Sequence, residues 1–146
     1  MKKFELTSEF VTFLGKTLFR IKALVSFGDV AEGELGGFIE RENNLDQSGD
    51  AWVSGDAQVF GNARVCGDAW VQNCRDYSAT SCFGSENRTT TFFRTKDGGI
   101  SVRCGCFYGT LREFREKVKE RHGDSRLAKE YLMLADLMEF RLSKDE

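Results

Sequence analysis

Residues 49–72 read GDAWVS, GDAQVF, GNARVC, GDAWVQ, four uninterrupted copies of the unit Gly-Asp/Asn-Ala-x-Val-x. Gly49, Gly55, Gly61 and Gly67 keep one six-residue step, and Ala51, Ala57, Ala63 and Ala69 keep it in phase. Val53, Val59, Val65 and Val71 do the same. An internal repeat of this kind outranks residue-by-residue propensity as a sign of architecture. Its period is that of neither an amphipathic helix nor a plain alternating strand. It suits a chain wound in flat-sided coils, each unit making one short strand and one corner. Corners need positive φ, which Gly, Asn and Asp tolerate. The tight interior needs one small and one branched apolar residue per unit, and Ala and Val supply them.

Outside the repeat the phase persists weakly, through Ile39 and Leu45 upstream and Tyr77 downstream. The coil region therefore spans residues 36–78, about two turns. Repeat units bury their cores only against neighbours, so both ends require capping. Residues 1–35 read as an N-terminal β-hairpin cap turning at Gly15-Lys16, followed by an acidic, Gly-rich loop. In 79–109, the strands Thr89–Thr95 and Ile100–Phe107 flank a Lys96–Gly99 turn, a β-hairpin extension. Residues 110–146 read as a helical hairpin. Thr110 and Glu113 form a capping box, with Leu111, Phe114, Val118 and His122 on one stripe. Gly123 stops that helix, and Asp124 caps a second one with the stripe Leu127, Tyr131, Leu134, Met138 and Leu142.

The hexads resemble the hexapeptide-repeat, or left-handed parallel β-helix, family. The run LFRIKALVSFGDVAEGELGGFIERENNL before the hexads, and TTTFFRTKDGGISVRCGCFYGTLREF after them, resembles small members encoded by phages and prophages. That resemblance implies a short, capped left-handed β-helix and a phage or mobile-element origin. It assigns no catalytic residue.

Composition narrows the function classes. The net charge of −2 argues against a general nucleic-acid binder, and no stretch reads as a signal peptide or membrane span. A bacterial cytosolic protein is expected, with five cysteines kept reduced. Enzymes of the resembled fold use a His between coils, whereas the one His, His122, falls at the end of a helix. Cys104-Gly105-Cys106 is a single loose thiol pair, short of the two clear pairs of a structural zinc site. No metal or other cofactor is expected, and no catalytic residue is assigned.

Two features point to binding. Trp52 and Trp70 stand 18 residues apart, one coil, in the slot between the inward Ala and Val. They are expected to stack on one outward face, either as a docking surface or under the chain itself. Between Gly28 and Asp56, eight acidic residues face one base, Arg41. Glu40, Glu42, Asp46, Asp50 and Asp56, with Trp52 and Trp70, form the expected partner-binding surface. The leading expectation is a non-enzymatic interaction protein that inhibits a host defence protein, such as a CRISPR-type nuclease, through this acidic surface. The alternatives are a small-molecule or nucleotide binder (or an acyltransferase-like enzyme) and a self-assembling structural protein. A dimer or trimer built with helices 111–142 is also expected.

Overall fold

The computed structural model describes residues 2–73, 75–83, 88–105 and 107–143. The capped left-handed β-helix expected from the hexads does not form. The described residues build three sheets and two C-terminal helices. Strands β1 (Phe4–Phe13) and β2 (Lys16–Ala23) form an antiparallel hairpin turning at Leu14 and Gly15, whose φ values are 51° and 77°. Two successive positive φ angles match the twist of the flanking strands. The hairpin does not cap a coil. It continues into β3 (Leu35–Ile39), which pairs antiparallel with β2.

The hexads contribute three two-residue strands, β4 (Trp52–Val53), β5 (Gln58–Val59) and β6 (Trp70–Val71). β5 joins the free side of β3 in parallel, completing a mixed sheet in the order β1-β2-β3-β5. β4 and β6 pair in parallel on their own, with Trp52 opposite Trp70 and Val53 opposite Val71. The third hexad makes a single parallel bridge, Val65 to Leu45.

The failure of the solenoid has a physical cause in the register. The step is 18 residues only from Trp52 to Trp70, whereas Phe38 meets Gln58 and Leu45 meets Val65, each 20 residues on. The two extra residues fall between Leu45 and Val53, which stand eight apart, whereas Ile39 and Leu45, on either side of the 3₁₀ turn at Glu42–Asn44, keep the step of six. With no second full coil of the same length, the repeat has no like neighbour to stack on. Sheets of different sequence cover it instead. The Ala and Val positions of all four hexads are nevertheless buried, as their spacing requires. They pack with Phe4, Ile21 and Phe93 in one core. Gly36 permits that contact, since a Cβ there would lie 2.5 Å from the Val53 carbonyl and 2.7 Å from Trp52.

The C-terminal half forms a second core. Strands β7 (Tyr77–Phe83), β8 (Arg88–Arg94), β9 (Ile100–Cys104) and β10 (Phe107–Thr110) make an antiparallel meander, a four-stranded sheet where a two-stranded extension was expected. The β8–β9 turn at Lys96–Gly99 is as expected, closed by Thr95 N–H donating to the Gly99 carbonyl. Helices α1 (Leu111–His122) and α2 (Arg126–Leu142) form the expected hairpin. Thr110 and Glu113 make both bonds of the capping box, and Ser125 rather than Asp124 caps α2. Phe92 and Val102 pack on Leu111, Phe114, Tyr131 and Met138. Among the described residues no helix is long and apolar enough to cross a membrane.

Lys3 ties the N-terminus to the hexads. Its ammonium donates to the carbonyls of Ala51 at 2.8 Å and Gly49 at 3.2 Å, and lies 4.7 Å from the Phe27 ring centroid. Burial pushes its pKa down to about 8, against the opposing pull of Asp46 and Asp50. At neutral pH the group is charged in both folded and unfolded chains, and its burial costs the fold. As pH rises through about 8 the folded chain loses this proton, while the unfolded chain holds it to about 10.5, so the cost is relieved across that interval. The stability of the wild type relative to Lys3→Met is therefore expected to increase over this window in chemical denaturation. A difference that stays flat or falls would refute the burial of the charge.

Candidate functional site

The two halves of the molecule meet along the third and fourth hexads. The backbone N–H of Arg64 donates to Thr91 Oγ1 on β8 at 3.0 Å, and Ala69 bridges to Thr95. Above this seam lies an open cleft of about 420 Å³. One wall is Arg41, Asn43, Asn44 and Gly61 to Arg64, and the other is Thr89, Thr91, Arg103 and Gly105.

Asn44 sets the first wall. It is buried, its Oδ1 accepting from the N–H groups of Glu40 and Arg41. Its Nδ2 donates to the carbonyls of Gly61 and Ala63 at 3.2 and 2.9 Å. One side chain thus locks the third hexad corner to the segment carrying Arg41. Glu40 adds a bond from the Gly61 N–H at 2.8 Å. That bond, with Lys16 and Arg41 nearby, holds its carboxyl below the usual range.

Three guanidinium groups line the cleft. Arg41 is shared with Glu40 at 3.5 Å, and Arg103 donates from Nε to the Gly105 carbonyl at 3.0 Å. Among the described residues no carboxylate forms an ion pair with Arg64 or Arg103. Both also border a smaller recess of about 150 Å³ with Glu42, Asp46 and Cys66. Burial pushes the Cys66 thiol up, opposed by its hydrogen bond with Arg103. Chemically, guanidinium groups are planar forks of N–H donors, a shape that can match phosphate or carboxylate oxygens in pairs.

The expected partner-binding residues do not form one bare acidic face. Glu40 is engaged as described, and Glu42 pairs with Lys2 at 2.8 Å. Asp56 pairs with Arg20 at 3.3 Å, which also holds Glu9. Asp46 closes a local turn through Ser48, and Asp29, elsewhere in the acidic run, pairs with Lys96 at 2.6 Å. Asp50 faces Lys3. Bases from Lys2 and Lys3 ahead of β1, from β2 and from the β8–β9 turn thus neutralise much of a run that looks uniformly acidic in one dimension.

The Trp pair is in register as expected, but its outward face is corrected. Trp52 is fully buried, edge-on to Phe27 at 5.3 Å, and its Nε1 has no hydrogen-bond partner among the described residues. The N-terminal sheet covers it. Trp70 is half-buried, with the Lys96 ammonium 5.5 Å from its ring centroid. A two-Trp docking surface is therefore absent, and Trp52 is a core residue.

Cys104 accepts from Thr90 Oγ1 at 3.2 Å, and His122 stacks on Tyr131. Cys106 lies outside the described residues, and among those described no three His, Cys, Asp or Glu side chains gather as a metal site. The cleft arginines had a signal in the repeat itself. GNARVC is the one hexad with Asn for Asp and with a cation in the outward slot. At Asn62 and Arg64 the repeat exchanges a negative charge for a positive one.

No family model matches the chain, and no curated protein matches it.

Replacing Asn44 with Ala should remove four hydrogen bonds and leave buried backbone groups without partners. A loss of about 2–4 kcal/mol is expected in chemical denaturation. A loss under about 0.5 kcal/mol, the ordinary size for a surface site, would show that Asn44 does not hold the cleft wall.

Proposed function

We propose that the protein is a binding protein for a small phosphate-bearing ligand, held in the cleft by Arg64, Arg103 and Arg41. The observation that carries this reading is the pair of guanidinium groups, from opposite halves of the fold, with no carboxylate partner among the described residues. Their charge is free to meet an oxyanion. The volume of about 420 Å³ lies within the usual range for small-molecule pockets. The overall charge of −2 favours a small anion over a nucleic-acid strand, whose binding relies on a broad basic surface. This takes up the small-molecule and nucleotide alternative, with its site at the seam between the hexads and the C-terminal sheet.

Inhibition of a host defence protein, and the phage origin behind it, is a proposal that rests on the resemblance. Pairing of Glu40, Glu42 and Asp56 within the chain leaves an acidic docking face less to offer.

Isothermal titration with inorganic pyrophosphate and with ADP tests the cleft. Wild type should bind at least one of them, and Arg64→Ala and Arg103→Ala should each weaken it by about 10–100-fold. Glu120→Ala, on the exposed face of α1, serves as a control and should not change affinity. Binding that survives both arginine substitutions, or no binding of either probe, would refute this function.

A further inference from the structure

The arginine cleft does not end at its arginines. Arg64, Arg103 and Asn43 also line the recess of about 150 Å³ beside it, so the two spaces share these three side chains. Leu45, Val65 and Cys66, all buried, line the recess as well. The charges of Asp46, Arg64 and Arg103 all act on the Cys66 thiol, which gathers one acceptor and two donors around a single point.

The polar groups of the recess are committed unequally. Glu42 is taken by Lys2 at 2.8 Å, and Gln47 Oε1 accepts from the N–H groups of Lys3 and Phe4. Asp46 is half-buried, and its Oδ1 accepts from the Ser48 N–H and Oγ at 3.1 and 3.2 Å. Its Oδ2 has no hydrogen bond among the described residues. Lys3, whose charge Asp46 also feels, gives its ammonium to the carbonyls of Gly49 and Ala51. The Asn43 amide, where cleft and recess join, has no hydrogen bond among the described residues either.

We propose that the ligand is a short phosphorylated polyol, its phosphate on Arg64 and Arg103 and one hydroxyl donating to Asp46 Oδ2 in the recess. This rests on the phosphate-binding reading above and narrows it. A carboxylate only accepts, so the group that meets it must donate, and two neighbouring guanidinium groups repel a cationic donor. A neutral hydroxyl satisfies both conditions. The Asn43 amide both donates and accepts, which suits a second hydroxyl on the next carbon. Among the described residues no aromatic side chain lines either space, so a nucleobase has no ring to stack on. The recess is about five times the ~30 Å³ that a water molecule occupies in the liquid, room for a few carbons and oxygens.

A ¹H–¹⁵N NMR titration of the full chain with glycerol 3-phosphate and with methyl phosphate tests this. Both are phosphate monoesters of like charge, and only the first carries free hydroxyls. Wild type should bind glycerol 3-phosphate about tenfold tighter or more. Asp46→Ala should bring the two affinities to within about twofold of each other. Their ratio cancels the general gain in anion affinity from removing a negative charge, and continued methyl phosphate binding shows that the variant is folded. Asp46→Asn keeps an oxygen for the Ser48 turn and should reduce the preference by about threefold, so the test holds even where alanine disrupts that turn. Arg64→Ala should weaken both ligands alike. Equal affinities in the wild type, or a preference that survives both Asp46 substitutions, would overturn the polyol and leave the phosphate reading standing. Failure of both monoesters to bind the wild type would overturn it too, and the pyrophosphate titration then decides the phosphate reading by itself.

Discussion

Arg94 is the interaction on which the arrangement of the molecule depends. From β8 its Nη1 reaches Asp76 Oδ1 at 3.2 Å, its Nε donates to the Leu142 carbonyl at 2.5 Å, and its Nη2 donates to the Ser143 carbonyl at 3.3 Å. Asp76 is buried, and its second oxygen accepts from the Gln72 N–H at 2.9 Å. The Arg94 N–H returns to the Asp76 carbonyl at 2.8 Å. One ion pair therefore binds the end of the last hexad, the middle of the C-terminal sheet and the end of α2. It also satisfies orphan carbonyls at the helix C-terminus with a cation, which the helix dipole favours. Removing one member of such a pair leaves the other buried and uncompensated, and that is where the large cost lies.

The position of β8 then decides the cleft. Thr91, three residues before Arg94, takes the Arg64 N–H, and β9 beside it carries Arg103. Arg64 and Arg41 come from the hexad side, where Asn44 fixes their spacing. The cleft is thus assembled from segments far apart in sequence by two buried polar groups, Asn44 and the Asp76–Arg94 pair. Asn44 stands in the cleft wall and the Asp76–Arg94 pair outside it, and both place the arginines.

How legible this was in the sequence depends on the range of the interaction. Local chemistry read through well. The Ala and Val phase predicted a buried row, the 18-residue step predicted Trp52 opposite Trp70, and Thr110 with Glu113 predicted a helix start. Longer-range features did not. The hexads suggested a solenoid because their period was read as continuing upstream, where the eight residues from Leu45 to Val53 lengthen the step to 20. Trp52 was placed outward by its slot in the unit, but Phe27 and Gly36 come from outside the repeat to cover it. The acidic run looked unpaired because Lys2, Lys16, Arg20 and Lys96 lie on other segments. The departures from the repeat at Asn62 and Arg64 were visible, and the residue opposite them, Arg103, was 39 positions away.

A double-mutant cycle on Asp76→Asn and Arg94→Met, followed by urea unfolding, tests the central claim most directly. If the buried pair locks the two halves together, each single substitution costs about 3 kcal/mol or more. The double variant should then be more stable than the sum of the singles by about 2 kcal/mol. Single costs that add to within about 0.5 kcal/mol would mean that the two residues act independently and that the seam is held elsewhere.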